Sequence, residues 1–441
     1  MKVLVIGGGA REHAICDAVV KSDADLYAAM KNINPGIKRL AKDFLLSDEK
    51  DVEKVTKYAK DKGIELAIIG PEAPEEAGLT NALKRESILV ASPTKEAAEI
   101  ETNKEFMRKL MKKYGIKGSV KCQAFSNSEM AKEFIEMLGG EVAIKPLGLT
   151  GGKGVKVAGD HFRSIEEAVA YANEVINKKI GGEARVLIEE KIVGEEFTIQ
   201  AFCDGNTIIP TPAVQDHKRL LEGDEGPNTG GMGSYSHSTG ILPFMERNDY
   251  EEASAILQRV IDALAREGRK YKGVIYGQFM LTNEGSKVVE INARWGDPEA
   301  MNVLPLLKTN FVEICLSMVD GNISKKKIDF ERKSTVCKYV VPEGYGTNPL
   351  SGKEIFIDEE GIKKTGCKLF YASVNEKDGK IYTTTSRSLA VLGIADEIEE
   401  AEKMCEKSLK YVKGDHLYIR HDIGTEKLIQ KRIVHMEQLR G

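Results

Sequence analysis

Residues 1–100 alternate short, wholly apolar runs with stretches whose apolar positions recur at helical spacing. Val3–Ile6 and Leu66–Ile69 contain no polar residue, the pattern of strands buried on both faces. Ala10–Val20 and Asp51–Lys62 carry the helical period between them, so the segment predicts βαβ units and an open parallel α/β domain. Ser92-Pro93-Thr94 marks a turn, and a helix is expected over 95–113, ending near Tyr114-Gly115. Strands are expected near 142–145, 155–158, 186–190 and 197–202, with a helix over 165–178 and a glycine-rich turn, Gly148–Gly154, between the first two strands. A long helix over 248–267, strands near 274–281 and 287–291, and a helix over 309–319 follow. From Ser334 the pattern turns strand-rich and closes on a helix over 396–411. Lys325-Lys326-Lys327 reads as a solvated linker, and no internal repeat is visible.

A chain of 441 residues is long enough for three or more domains, or for one large assembly that closes on a ligand. The net charge of −4 gives no reason to expect nucleic acid or an anionic membrane as partner. No apolar run approaches the roughly 18 residues of a membrane span. The apolar start at Lys2–Ile6 is too short for a signal peptide. Seven cysteines are scattered singly with no Cys-x-x-Cys pair, which predicts reduced thiols in a cytoplasmic protein, not a disulfide framework or zinc site.

The candidate chemistry lies where glycines and charges interrupt the pattern. Strand Val3–Ile6 runs into Gly7-Gly8-Gly9-Ala10-Arg11-Glu12, a strand-to-helix turn suited to an anion at a helix N-terminus. A dinucleotide fingerprint needs glycine where Glu12 stands, which leaves a phosphate on a smaller ligand, aided by Arg11, or a plain tight turn. Val142–Lys145 delivers a lysine to Gly148–Val155, which is no Walker loop but reads as a flap over a polyphosphate, with Lys153 as counter-charge and Lys104 as a second contact. The bend after Val186–Glu190 offers backbone to an adenine edge and Glu196 to ribose hydroxyls. Glu290 and Asn292 lie two apart in a strand and so face one side, an oxygen pair suited to Mg²⁺. Arg294 continues that face toward a transferring phosphoryl group, and Asp297 is left free to bind an amine. The run Asp224–Gly233, with four glycines and a proline, is expected to be neither helix nor strand but a loop exposing N–H groups, flanked by Asp216, Lys218, Arg219 and Asn228 for a small anionic substrate. His217 is read as a general base, or as a structural or substrate-binding group.

These pieces in this order resemble the ATP-grasp superfamily, and within it the phosphoribosylamine–glycine ligase (glycinamide ribonucleotide synthetase) family. The resemblance covers essentially the whole chain, and Gly226–Gly233 is its most specific part. It implies a multi-domain α/β and α+β fold: an N-terminal open parallel α/β domain over 1–100, an ATP-grasp body over 101–325 with a mobile lid at about 118–195, and a C-terminal β-rich domain over 326–441. It places Lys104, Lys145, Gly151, Gly152, Lys153, Gly154, Val155, Glu189, Glu190, Ile192 and Glu196 around ATP, and Mg²⁺ or Mn²⁺ on Glu290 and Asn292. Gly9, Arg11, Glu12, Glu72, Asp216, Lys218, Asn228, Thr229, Gly230, Arg294, Gly296, Asp297 and Pro298 fall to the other substrates, with Arg294, Lys145 and Lys153 acting in catalysis. The implied reaction joins glycine to 5-phosphoribosylamine through glycyl phosphate, a step of purine biosynthesis with small-molecule substrates and no obligate protein partner. The alternatives are another ATP-grasp carboxylate–amine ligase, an NAD-dependent oxidoreductase on the first loop, or a nucleotide sensor. Two departures stand out: Ala10 replaces a glycine of the first loop, and Gln278 stands where many relatives carry a second acidic metal ligand.

Overall fold

The computed structural model describes residues 1–147 and 154–441. Val3–Ile6 is fully buried because the strand Lys2–Ile6 lies at the centre of a parallel sheet. The five strands run in the order Asp43–Leu46, Asp25–Met30, Lys2–Ile6, Leu66–Ile69, Leu89–Val90. Strand order reverses at the central strand, which opens a crevice beyond the carboxyl ends of Lys2–Ile6 and Leu66–Ile69. Asp25–Met30 and Asp43–Leu46 escape the apolar pattern because both are only partly buried and carry polar residues. The crossover helices are Ala10–Val20 and Val52–Lys62; Asp51 caps the latter, its side chain accepting from the Lys54 N–H at 3.1 Å.

The helix expected over 95–113 is two helices, Lys95–Thr102 and Lys104–Lys113. Asn103 breaks it: the side chain accepts from the Phe106 N–H at 3.0 Å and so caps a new helix instead of continuing the old one. The break puts Lys104 in a first turn and Arg108 one turn later on the same face.

The body is a ten-stranded sheet whose main path runs Gly285–Asn292, Gly273–Thr282, Glu195–Cys203, Val214–Asp216, Gly233–Ser236, Ser334–Pro342, Leu389–Ala395, Lys368–Tyr371. The last three strands come from the C-terminal part, joined by antiparallel pairing of Gly233–Ser236 with Ser334–Pro342. The lid is a separate four-stranded sheet of Cys122–Phe125, Val186–Glu190, Val142–Pro146 and Lys156–Val157. Its core, including Ile135, Ile144, Ala172 and Ile188, is distinct from the body's. A closing helix, Glu426–Arg440, follows the expected one, observed at Ile398–Leu409. Its pattern lacks a clean apolar stripe because several of its charged side chains meet carboxylates of the body.

The run 224–233 corrects the expectation of a pure loop. Glu225–Asn228 is a strand, paired with Arg219–Leu221 in an isolated two-stranded ribbon. Pro227 is tolerated because a two-stranded ribbon leaves one edge of each strand unpaired.

Candidate active site

A cleft of about 960 Å³ lies between the parallel sheet, the body, the lid and the C-terminal part. Of the described residues singled out from the sequence, Gly154, Gly296 and Pro298 are not among its lining; the others are. Gly151, Gly152 and Lys153 lie outside the described residues.

At the crevice end, Glu12 lines the cleft and closes the first glycine loop. Its Oε2 accepts from the Gly9 N–H at 2.7 Å and its Oε1 from Arg11 Nε at 2.5 Å. A Cβ on Gly70 would fall 2.2 Å from Glu12 Oε1, so glycine at 70 is what admits the carboxylate. The Gly9 donor offered in principle to a phosphate is therefore spent inside the loop, the reach-back half of a capping box with no N-cap side chain to return it. Arg11 is buried and donates to the Trp295 carbonyl at 3.2 Å.

Arg294 does not extend freely toward Glu290 and Asn292. It is 3.0 Å from Glu101 and 3.5 Å from Glu72, and lies over the Tyr276 ring. Burial pushes Glu101 up to about 7, outweighing Arg294, with Glu72 adding to the rise. Arg294 thus ties the helices of the N-terminal part to the turn after strand Gly285–Asn292 and enters the cleft partly neutralised.

On the lid side, Lys145 Nζ is 2.7 Å from Glu189, whose carboxylate is also gripped by Arg108 Nε and Nη2 at 2.6 and 2.9 Å. Arg108 donates further to the Val288 and Val289 carbonyls at 2.9 and 3.0 Å, stitching lid to body. Burial alone would raise Glu189, but Arg108 and Lys145 hold it down at about 2. The Glu189 side chain is therefore committed to protein partners, as is Glu190, which accepts from the Lys121 N–H at 2.8 Å. Glu196 turns one oxygen to Lys218, 3.4 Å away, and the same oxygen accepts from Gln278. Gln278 is thereby drawn toward Glu196.

Glu290 and Asn292 do share a face, with Asn292 Nδ2 3.3 Å from Glu290 Oε1. Burial would raise the Glu290 pKa, but Lys218, Lys104 and Lys145 lower it, so its charge is maintained in the cleft. Burial lowers the pKa of Lys104, opposed chiefly by Glu290. Among the described residues no cluster of three or more His, Cys, Asp or Glu side chains forms a protein-only metal cage.

The glycine-rich run Thr229–Met232 has its amides paired within the protein. The N–H groups of Thr229 and Met232 go to the carbonyls of Lys218 and His217, each at 2.7 Å. Those of Gly230 and Gly231 go to the Tyr345 and Thr229 hydroxyls at 3.3 and 3.1 Å. Buried donors must be paired, and here Lys218, His217, Thr229 and Tyr345 supply the acceptors. Gly231 has φ +106 and would strike Pro298 with a Cβ, so the loop packs on the Gly296–Pro298 turn only as glycine. Asp297 is not free either: it forms an ion pair with Arg387 at 3.0 Å and accepts from Tyr339. Arg387 also donates to the carbonyls of Gly230 and Asp297 at 2.6 and 3.0 Å. Asp216 has one buried oxygen without a hydrogen-bond partner, and burial, added to by Glu299 and Glu196 and opposed by Lys218, pushes it up to about 7. His217 is buried with neither ring nitrogen hydrogen-bonded, and burial with Arg420 and Arg432 drives it down to about 3. The arginines around it disfavour its protonated form, which makes it a weak proton acceptor.

The sequence reading missed Glu101 and Arg387, which line this cleft, and Arg108, which lies behind it on Glu189. Arg108 was findable, since it lies one helical turn after Lys104. Arg387 was not: it reaches the loop from a distant segment with no local motif.

Three family models match in chain order: "Phosphoribosylglycinamide synthetase, N domain" over residues 1–101, "ATP-grasp (A) domain" over 102–300, and "C domain" over 335–426. A protein of Methanothermobacter thermautotrophicus named phosphoribosylamine–glycine ligase is 54% identical over 441 residues, with 100% of each chain covered. A crystal structure of phosphoribosylamine–glycine ligase from Thermotoga maritima superposes with TM-score 0.81 at 29% identity, covering 96% of this chain and 100% of that one. The biotin carboxylase domain of a 2-oxoglutarate carboxylase from Hydrogenobacter thermophilus, in complex with MgADP, shares the fold at TM-score 0.72 and 16% identity, covering 99% of this chain and 93% of that one.

Proposed function

Because this chain belongs to the phosphoribosylglycinamide synthetase family, we propose for it the reaction its relatives are named for, the ATP-dependent joining of glycine to 5-phosphoribosylamine. The protein is an ATP-dependent carbon–nitrogen ligase of purine biosynthesis, and its products are glycinamide ribonucleotide, ADP and phosphate. The observation that carries the reading to this chain is one cleft lined jointly by the lysines 104 and 145, the Glu290–Asn292 pair and the acceptor loop 216–230.

In the proposed sequence a glycine carboxylate oxygen attacks the γ-phosphorus of ATP and ADP leaves, giving glycyl phosphate. The phosphoribosylamine nitrogen then attacks the acyl carbon, phosphate departs, and the nitrogen loses a proton. A carboxylate is already a nucleophile, so positioning and charge stabilisation suffice. Lys145, held by Glu189, and Lys104 put positive charge on the nucleotide wall. Arg294, shared by Glu72 and Glu101, orients anions more than it neutralises them. Gly151, Gly152 and Lys153 are proposed to cover the phosphates, and Gly154, Val155 and Ile192 to flank the nucleotide. The residues present fit a divalent cation: two side-chain oxygens from one strand suit an ion that keeps phosphate and water ligands, and Mg²⁺ or Mn²⁺ favours such hard donors. Bound there, it would supply charge neutralisation to the phosphates. The proposal includes a cytoplasmic location, supported by seven unpaired cysteines. Among the described residues no helix is long and apolar enough to cross a membrane.

The test is ADP release with Mg-ATP and glycine, with and without phosphoribosylamine generated in place from ribose 5-phosphate and ammonia. Release that needs both, with the amide-linked ribonucleotide by mass spectrometry, is the expected result. Turnover only with a different acid or acceptor would discard the glycine assignment. A second expectation concerns Asp297. Asp297→Asn leaves Arg387 less compensated and loosens its hold on the loop at Gly230, so KM for glycine should rise about tenfold, worth about 1.4 kcal/mol, with KM for ATP nearly unchanged. Equal rises in both constants would remove Asp297 from the glycine side.

A further inference from the structure

Two arginines from the C-terminal segment converge on one carboxylate of the acceptor ribbon. Asp224 lies where the ribbon turns and holds φ +67, a left-handed conformation costly for a residue other than glycine. Such a conformation persists only when its surroundings over-determine it. Arg420, fully buried, donates to Asp224 Oδ1 at 2.7 Å, to Asp422 at 2.7 Å and to the Arg219 carbonyl at 3.1 Å. Arg432, from the closing helix Glu426–Arg440, pairs with the other Asp224 oxygen through Nη2. Its Nη1 lies 3.2 Å from Glu195, the first residue of strand Glu195–Cys203. The other Glu195 oxygen is 2.5 Å from His435, one turn along the same helix. Glu195 precedes Glu196, which meets Lys218 on the acceptor side. Arg432 therefore bridges the two walls of the cleft, and Arg432, Glu195 and Asp224 all line it. The helix carrying Arg432 lies almost wholly beyond the residues matched by the family's C-domain model.

We propose that Arg432 is a positioning residue that locks the acceptor ribbon 219–228 to the nucleotide-side strand, so that the acceptor is in place when the acyl phosphate forms; this rests on the ligase reading above. Its loss leaves the acyl phosphate to water, which attacks the acyl carbon and returns glycine and phosphate, so ADP is released without amide product. Bidentate bridging by a guanidinium is a geometry an ammonium cannot reproduce at both carboxylates.

The test counts ADP and glycinamide ribonucleotide in the same reaction. The native enzyme is expected to give close to one ADP per product. Arg432→Met should give a severalfold excess of ADP with a raised KM for phosphoribosylamine, and Arg432→Lys only a partial return. Arg440→Met is the control, since Arg440 ties the same helix to Asp249 at 2.7 Å, away from the cleft. It should keep the native ratio. A native ratio in Arg432→Met, or the same excess in Arg440→Met, would overturn the proposal. Should Arg432→Met fail to fold, Glu195→Gln removes the other end of the bridge and should give the same excess; a native ratio there overturns it equally. Hydrogen exchange reads the brace without substrates: amides 219–229 should lose about tenfold protection in Arg432→Met and none in Arg440→Met. Unchanged protection refutes the brace, whereas lost protection in an enzyme that makes no glycinamide ribonucleotide refutes only the ligase reading.

Discussion

Glu290→Ala is expected to lower kcat by about a thousandfold, the rate equivalent of roughly 4 kcal/mol of lost charge stabilisation. Glu290 is the one carboxylate of the strand face it shares with Asn292, and Lys218, Lys104 and Lys145 keep it ionised against burial. Without it, Asn292 alone is a neutral oxygen, too weak to hold a hard dication beside the phosphates. The Mg²⁺ concentration for half-maximal rate should therefore rise together with the fall in kcat. Glu290→Gln, which keeps an oxygen but not the charge, should fall between alanine and the native enzyme. A mutant with a rate within a few-fold of native and an unchanged Mg²⁺ requirement would take Glu290 out of the metal site. Because the Glu290 pKa is lowered on folding, its favourable contribution is present above the unfolded value and is lost as pH falls through the folded one. Activity measurements near neutral pH read the ionised state.

Those residues were legible because period-two spacing in a strand is a local rule that tertiary contacts rarely override. The central strands and the helix Ile165–Lys178 were legible for a similar reason, the former from wholly apolar runs and the latter from a strong apolar periodicity. What sequence could not supply was the pairing of charges between segments far apart. Asp297 looks free in its Gly-Asp-Pro turn, yet Arg387 and Tyr339 occupy it from the C-terminal part. Glu12 lines the cleft, and its carboxylate is also bonded within its own loop. The amides of 229–232 look exposed in a glycine-rich run, yet each meets an acceptor within the protein, and Thr229, Gly231 and Met232 are buried. In each case the local motif is right about conformation and silent about which partner arrives first. The closing helix failed differently: its side chains answer carboxylates of the body, so it shows little of the apolar stripe on which detection depends.

The second large effect is on stability, at Arg108. Arg108→Met is expected to destabilise the protein by about 3–5 kcal/mol at pH 7, the usual cost of removing one member of a buried ionic cluster. Arg108 and Glu189 have side chains only 3% and 4% exposed, so neither charge can turn to water when its partner is lost. The sign with pH follows from Glu189, whose carboxyl is held at about 2 by Arg108 and Lys145 against burial. A depressed carboxylate stabilises above the unfolded pKa of about 4.5 and loses that contribution as pH falls toward 2. Urea unfolding should therefore show the difference between native and Arg108→Met narrowing as pH drops below that range; a constant difference would assign the loss to packing. The cluster has a reason to keep two cations on one carboxylate. Lys145 and Glu189 line the cleft and Arg108 lies buried behind them, so the three together leave a net positive charge at that wall, which a lone Lys–Glu pair would not. Arg108→Met should accordingly raise KM for ATP as well as lower stability, while a variant that loses stability with KM for ATP unchanged would confine the cluster to holding lid against body.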